Sequence, residues 1–224
     1  MKEGNYYFSF DDHPFLDLFE SVPCVWDLLK HLSSYLKQKN LGKIASPIAP
    51  GVVLENQELI FIAEGVIIEP GAYIKGPAWI GEGCEIRHGA YLRENVLLAP
   101  KVVVGHSTEV KNSILLTKAH AAHFNYVGDS ILGVDSNLGA GVICANVRLD
   151  HKTVLVEIEG TKIDTGLQKM GVILGDHSQI GCNSVINTGT LIGQGVLSPP
   201  CLSIRGTIKS HSKIKPLKQY IIEA

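Results

Sequence analysis

Residues 62–110 read IAEGVIIEPGAYIKGPAWIGEGCEIRHGAYLRENVLLAPKVVVGHSTEV, and a branched aliphatic residue or leucine falls on every sixth place: Ile62, Ile68, Ile74, Ile80, Ile86, Leu92, Leu98, Val104 and Val110. A small residue or valine stands four places after each of the first eight (Val66, Ala72, Ala78, Cys84, Ala90, Val96, Val102, Thr108). Each hexad therefore offers two inward side chains of alternating size. An α-helix repeats on about 3.6 residues and a strand on about two, so neither keeps this beat. A chain wound into a triangular coil, one hexad per face, does. The period predicts an all-β solenoid, a parallel β-helix of hexapeptide repeats, with a short α-helical segment before it.

That segment, residues 1–45, has a different texture. Val25, Leu28, Leu29, Leu32 and Leu36, with Trp26 and Tyr35, have the spacing of one helix face starting near Pro23. Phe15, Leu16, Leu18 and Phe19, after Asp12 and Pro14, form a shorter helical piece. Solenoid ends expose unpaired strands, so the segment is expected to cap or brace the N-terminal coils; a partner-docking helix is the alternative. Pro47 and Pro50 mark the join to a β-helical domain over 46–202. Its frame breaks at 112–123, resumes with Leu132 and Leu138, and breaks again over 147–170 before Leu174, Ile180, Ile186 and Ile192 return at sixes. Within the second break, Val154, Val156 and Ile158 alternate, and Ile163 follows Gly160, which predicts a hairpin. Interruptions of a repeat map to loops that leave the coil, often on the working face, so two excursions are expected to bracket a site. Residues 203–224, with Lys209, Lys213, Lys215 and Lys218, form a C-terminal tail, read either as a solvated end or as a contact for a cofactor's phosphates.

The formal net charge is −2 and the basic residues are scattered, which argues against nucleic acid and anionic lipid as partners. The opening MKEGNYYFSFDD has no apolar signal core, and no apolar run approaches the roughly 20 residues of a membrane span. A cytoplasmic protein is expected. Cys24, Cys84, Cys144, Cys182 and Cys201 are odd in number and contain no CxxC, so reduced, buried thiols are the expectation.

Neither a phosphate-binding GxxxxGK[ST] loop nor a GxSxG elbow is present. His106, His120 and His123 invite comparison with a three-histidine zinc site, but two of them sit three residues apart where convergence on one metal is hard to arrange, and no metal is expected. The polar residues that remain cluster about the first break and the coil after it: Arg93, Lys111, His123, Tyr126, Asn137, Asn146 and Lys152. On a coil of about 18 residues Arg93 and Lys111 stack one turn apart, about 4.8 Å from each other. Such a pair repels unless an anion bridges it, which points to a phosphate or carboxylate ligand; neutralisation by Glu94 and Glu109 is the alternative. His123, beside Phe124 and Tyr126 on an irregular segment, is either a general base, since imidazole ordinarily titrates near neutrality, or a satisfied structural residue.

The run HFNYVGDSILGVDSNLGAGVICAN, from His123 to Asn146, resembles the acetyltransferase domain of the bifunctional N-acetylglucosamine-1-phosphate uridyltransferase / glucosamine-1-phosphate N-acetyltransferase family, whose pattern is close to HxxYxGDxxxGxxxNxGAGxxxxN. The match runs without a gap to Lys152 and back through EVKNS to Arg93. The later KTVLVEIEG and TKIDTGLQKMGVILGDHSQIG resemble the archaeal-type sugar-1-phosphate nucleotidylyltransferases, which carry the same extended loop. The resemblance implies a left-handed β-helix that trimerises, with acetyl-CoA between neighbouring chains and an amino-sugar phosphate as acceptor. It implies His123 as the base that deprotonates the 2-amino group, and Arg93, Lys111, Lys152 and Tyr126 as the phosphate site. Asn137 would bind the sugar ring, Asn146 would position the amine and acetyl group, and the Ala140 amide would hold the oxyanion. Ala140, Cys182 and Pro200 would line the cofactor.

The pattern is not kept throughout. Val147 stands where the bacterial enzymes have Tyr, Cys182 where they have Ser, and Pro199 and Pro200 where they place small residues. A nucleotidyltransferase half is not part of this sequence, so uridylyl transfer is not expected of it. These departures keep a second reading open, a non-catalytic trimeric scaffold or regulatory subunit for a separate sugar nucleotidyltransferase.

Overall fold

The computed structural model describes residues 1–9 and 15–216. Asp12 and Pro14 at the start of the short helical piece, and Lys218 with the end of the tail, lie outside them. Three parallel sheets of eight, eight and seven strands wrap a left-handed β-helix of about 9 turns. Face one contains Ile60–Ile62 and its coil-by-coil partners, face two Ile67–Ile68 and its partners, and face three Val53–Glu55 and its partners. Hexad positions become vertical ladders: Ile62 pairs with the register of Ile80, Ile80 with Leu98, Ile68 with Ile86, and Ile74 with Leu92. All nine large hexad residues from Ile62 to Val110 are buried, as are the eight small ones, with Thr108 among them. The size alternation seen in the sequence is how a triangular cross-section is filled without voids.

The first expected excursion does not leave the coil. Leu98 pairs with Leu115 and Leu115 with Leu132, while Val110 pairs with Val127, so these turns are one residue shorter than the preceding ones. The residue is lost at the corner between Val110 and Leu115, where Asn112 takes a left-handed φ of 45°. Asn tolerates that region better than most side chains, and the inner row continues as Leu115, Ala121 and Val127, all fully buried. The second excursion is real: Leu132 pairs with Leu174, and the chain between them carries the antiparallel hairpin Leu155–Ile158 and Thr161–Asp164.

Helices α1 (Leu16–Glu20) and α2 (Leu28–Gln38), the latter led in by a 3₁₀ turn at Val25–Asp27, do not sit over the open N-terminal end. They lie along face one. The outward row of that face is itself apolar, and Leu97, Ile114, Ile131, Ile173 and Leu191 are buried in one cluster with Tyr7, Phe8, Leu28, Leu32 and Leu36 and with Val154, Val156 and Met170 from the second excursion. Burying that row removes a continuous apolar strip from water, while the first rung of the coil is covered by Ile44 bridging Ile62. Asp176 fastens the segment, accepting from the amides of Ser9 and Val134 at 2.7 Å each while its own amide donates to the Tyr7 carbonyl. A Leu32→Ala variant, which opens a void at a fully buried position, is expected to cost about 2–5 kcal/mol. Limited proteolysis should then cut first within residues 15–40 while the coils stay protected.

The cysteines divide. Cys84 and Cys144 are buried, and burial pushes both thiols up to about 12, whereas Cys182 and Cys201 are exposed and Cys24 is half-buried. The expectation of uniformly buried thiols fails because Cys182 and Cys201 occupy the corner of the coil, not its inner row.

Candidate active site

His123 closes the strand His120–His123 on face two, in register with His106 of the preceding coil. It is therefore not on an irregular segment. Its backbone is tied on both sides: its amide donates to Asn125 Oδ1 at 3.2 Å, and its carbonyl accepts from the Gly141 amide at 3.0 Å. Asn125 is buried and donates through Nδ2 to the Gly139 carbonyl at 2.8 Å, so one side chain locks His123 to the coil above. The imidazole itself faces solvent. A fixed backbone carrying an exposed ring on a stiff edge is what positions a proton acceptor for a bound substrate.

Next along this corner comes Ala140. No described residue accepts its N–H, while its carbonyl accepts from Asn183 at 2.8 Å. Cys182 follows on the next coil and Pro200 on the one after, with the Cys201 amide donating to the Cys182 carbonyl at 2.8 Å. His123, Ala140, Cys182 and Pro200 thus form one line down the corner between faces two and three.

A second group stands on face three, reached from His123 across the turn at Phe124 and Asn125. Asn146 donates through Nδ2 to the Tyr126 hydroxyl at 3.2 Å and to Asp129 Oδ2 at 2.6 Å. Asp129, 3% exposed, also accepts from Lys111 Nζ at 3.0 Å and from Asn112 Nδ2 at 2.9 Å. Burial pushes the Tyr126 phenol above its ordinary range, keeping it a neutral donor. Arg93 is bound to Glu109 Oε1 at 3.0 Å, which raises its pKa further. The stacked cations consequently do not wait for a shared anion. Glu109 serves Arg93, and Asp129, not Glu94, serves Lys111, because a carboxylate within 3.0 Å removes the repulsion that bare stacking would create.

Gly128, between Tyr126 and Asp129, is required by close approach: a Cβ there would lie 2.6 Å from both Asn146 Nδ2 and the Tyr126 hydroxyl. Gly128→Ala is expected to part that hydrogen bond and cost about 1–3 kcal/mol as an overpacking change, read as a lower melting temperature together with weaker ligand binding on face three.

Two expected site residues stay apart from both groups within the chain. Asn137 faces outward on face two, in register with His120 and Gln179, a strand away from Tyr126. Lys152 lies in the exposed run after Asn146 with its amide donated to Asp150, and its ammonium is outside the Asn146–Asp129 cluster. Asp129, Asn112 and Gly128 join the site only in the fold; for Gly128 and Asp129 the sequence carries a signal, the GD pair of HFNYVGD, and for Asn112 none. Among the described residues no three His, Cys, Asp or Glu side chains converge as a metal site: His106 Nδ1 is within 3.0 Å of the His88 carbonyl, and His120 sits at the far end of its strand from His123. No helix among the described residues is long and apolar enough to cross a membrane.

The coil is a left-handed hexapeptide-repeat β-helix that carries a histidine on its corner and a cation-bearing face beside it. A family model described as the GMPPB C-terminal domain matches residues 74–159. The bifunctional protein GlmU of Methanococcus maripaludis strain C7 is 38% identical over 197 residues, covering 88% of this chain and 47% of that protein. The bifunctional sugar-1-phosphate nucleotidylyltransferase/acetyltransferase of Sulfurisphaera tokodaii is 41% identical over 90 residues, 40% of this chain and 22% of that protein. The putative uncharacterized acetyltransferase YaiX of Escherichia coli K12 is 33% identical over 166 residues, 74% of this chain and 70% of its own length. The chain belongs to the hexapeptide-repeat family formed by the acetyltransferase domains of GlmU-type proteins. It spans less than half the length of the bifunctional relatives it matches.

Proposed function

We propose that this chain is an acetyl-CoA-dependent N-acetyltransferase acting on the 2-amino group of a hexosamine 1-phosphate, glucosamine or galactosamine, in nucleotide-sugar biosynthesis. The observation that carries the reading is the juxtaposition of two rows on one coil. His123 stands at the corner, and the Tyr126–Asn146–Asp129–Lys111 network lies directly across the turn. In this reading His123 takes a proton from the amine as its lone pair attacks the thioester carbonyl. The oxyanion accepts from the Ala140 amide, a donor with no other partner among the described residues, and collapse expels the CoA thiolate, which recovers the proton from His123. Arg93, Lys111 and Lys152, with the neutral Tyr126 hydroxyl, bind the phosphate, and Asn146 orients the amine and acetyl group. Glu109 and Asp129 hold the two stacked cations in place before the phosphate arrives. Acetyl-CoA runs down the corner past Ala140, Cys182 and Pro200. Asn137, on another face, contributes from a neighbouring chain of a homotrimer. The names of the relatives that combine a sugar-1-phosphate transferase with an acetyltransferase support the acceptor class.

The scaffold reading draws on Val147, Cys182 and the prior pairing of Arg93 and Lys111. Against it, the apolar face of α2 is already spent on face one, and so is not a free docking surface for a separate nucleotidyltransferase. Incubation with acetyl-CoA and each hexosamine 1-phosphate, followed by titration of free thiol, separates the two. The enzyme releases thiol only when an amino-sugar phosphate is present; no release with either acceptor leaves the scaffold.

A further inference from the structure

We propose that Cys182 and Cys201 are a reversible dithiol–disulfide pair whose oxidation closes the corner groove. They lie on successive coils at the same corner, and both are free and exposed. The Cys201 amide donates to the Cys182 carbonyl at 2.8 Å, and Cys201 has a left-handed φ of 61°. The same backbone relation occurs three coils earlier between His106 and Phe124. There the Phe124 amide donates to the His106 carbonyl at 2.8 Å, Phe124 has φ 52°, and the two rings meet edge-on with centroids 5.0 Å apart. Two side chains in this relation at this corner can therefore meet. With adjacent coils about 4.8 Å apart and one amide-to-carbonyl hydrogen bond between them, the two Cα atoms are about 5–6 Å apart. That falls inside the span of about 4.4–6.8 Å that a disulfide bridges without moving the backbone. The remaining cysteines do not compete: Cys84 and Cys144 are buried in the coil, and Cys24 is in the N-terminal segment.

The oxidant is a low-molecular-weight disulfide such as glutathione disulfide. The thiolate of one cysteine attacks it, releasing one glutathione thiolate and leaving a mixed disulfide. The second thiolate then attacks the protein sulfur of that bond, forming Sγ–Sγ and releasing the other glutathione. Two electrons and two thiol protons pass from the protein to the oxidant. Cys182 stands one coil beyond Ala140 in the same row, and Cys201 one coil further beside Pro200, so the bridge lies across the row assigned to the cofactor. The gating effect, though not the bridge, rests on that assignment.

Reduced protein is incubated with glutathione disulfide, remaining thiols are alkylated, and peptides are mapped by mass spectrometry. A linked peptide joining Cys182 to Cys201 is expected in the wild type and none in Cys201→Ser. Two alkylated thiols, or only glutathione adducts, in the wild type overturn the bridge. Calorimetric titration with CoA then reads the gate: oxidation should weaken binding at least tenfold and dithiothreitol should restore it, whereas Cys201→Ser, once its mass shows no glutathione adduct on Cys182, should bind CoA as the reduced wild type does. A bridged protein that binds CoA as the reduced one does overturns the gate alone. A reduced protein that does not bind CoA overturns the cofactor assignment and the gate with it, while the bridge stands or falls on its own peptide.

Discussion

Replacing His123 with alanine is expected to lower the rate of acetyl transfer by about 10²–10⁴, the usual worth of a positioned general base, while leaving the melting temperature almost unchanged. The two halves of that expectation have separate structural grounds. Among the described residues, the hydrogen bonds of His123 are made by its backbone, its amide to Asn125 and its carbonyl from Gly141, and both survive truncation of the side chain. Its exposed ring makes no packing contact that alanine would lose as a cavity. Steady-state kinetics with saturating acetyl-CoA should therefore show the loss in kcat more than in KM for the sugar phosphate, whose binding groups stand on face three. A variant as active as the wild type would remove His123 from the chemistry. A variant that melts much earlier would make it structural.

The second large effect belongs to Asp129. Asp129→Ala leaves Lys111 Nζ, Asn112 Nδ2 and Asn146 Nδ2 without their shared acceptor. Breaking a largely buried ion pair by removing one partner costs about 3–5 kcal/mol, so a fall in melting temperature is expected first. Asp129→Asn separates packing from charge: it keeps one carboxyl-like oxygen in place but not the anion. A purely structural Asp129 would be rescued by asparagine in both stability and catalysis. A positioning role predicts recovered stability with a KM for the sugar phosphate still raised, because Lys111 is no longer held beside Arg93.

Most of the architecture was legible in the chain because an inward row at fixed period leaves few alternatives. A departure from six in the sequence does not by itself mean a loop. Between Val110 and Leu115, and again between Val127 and Leu132, the inner row takes a step of five, and the coil closes that corner with one residue fewer while the ladder pairing continues. A strict period sees a break where the fold sees a tighter corner. The covering of face one was harder to foresee. The outward Leu97, Ile114, Ile131, Ile173 and Leu191 are plainly apolar in sequence, but nothing in one strand tells whether a helix of the same chain, a hairpin or another chain will bury it.

The candidate site shows the same division between local and distant information. The alternative of neutralised cations considered Glu94 and Glu109, which lie next to Arg93 and Lys111 in sequence or one coil away; Asp129 enters from the following coil, beside Gly128, the ladder partner of Lys111. Asn137 and Tyr126 are eleven places apart in sequence yet lie on different faces of the coil. Motif spacing orders residues along a chain, whereas the coil sorts them by position within each turn, so residues a turn apart become neighbours and residues a few places apart face different directions.

The central claim is tested most directly by supplying [1-¹³C]acetyl-CoA with glucosamine 1-phosphate or galactosamine 1-phosphate and following the labelled carbonyl by NMR. The account predicts loss of the thioester signal and growth of an amide signal on the sugar's 2-nitrogen, at a rate dependent on His123. A thioester signal that persists with both acceptors, in protein that is folded and binds CoA, would contradict it.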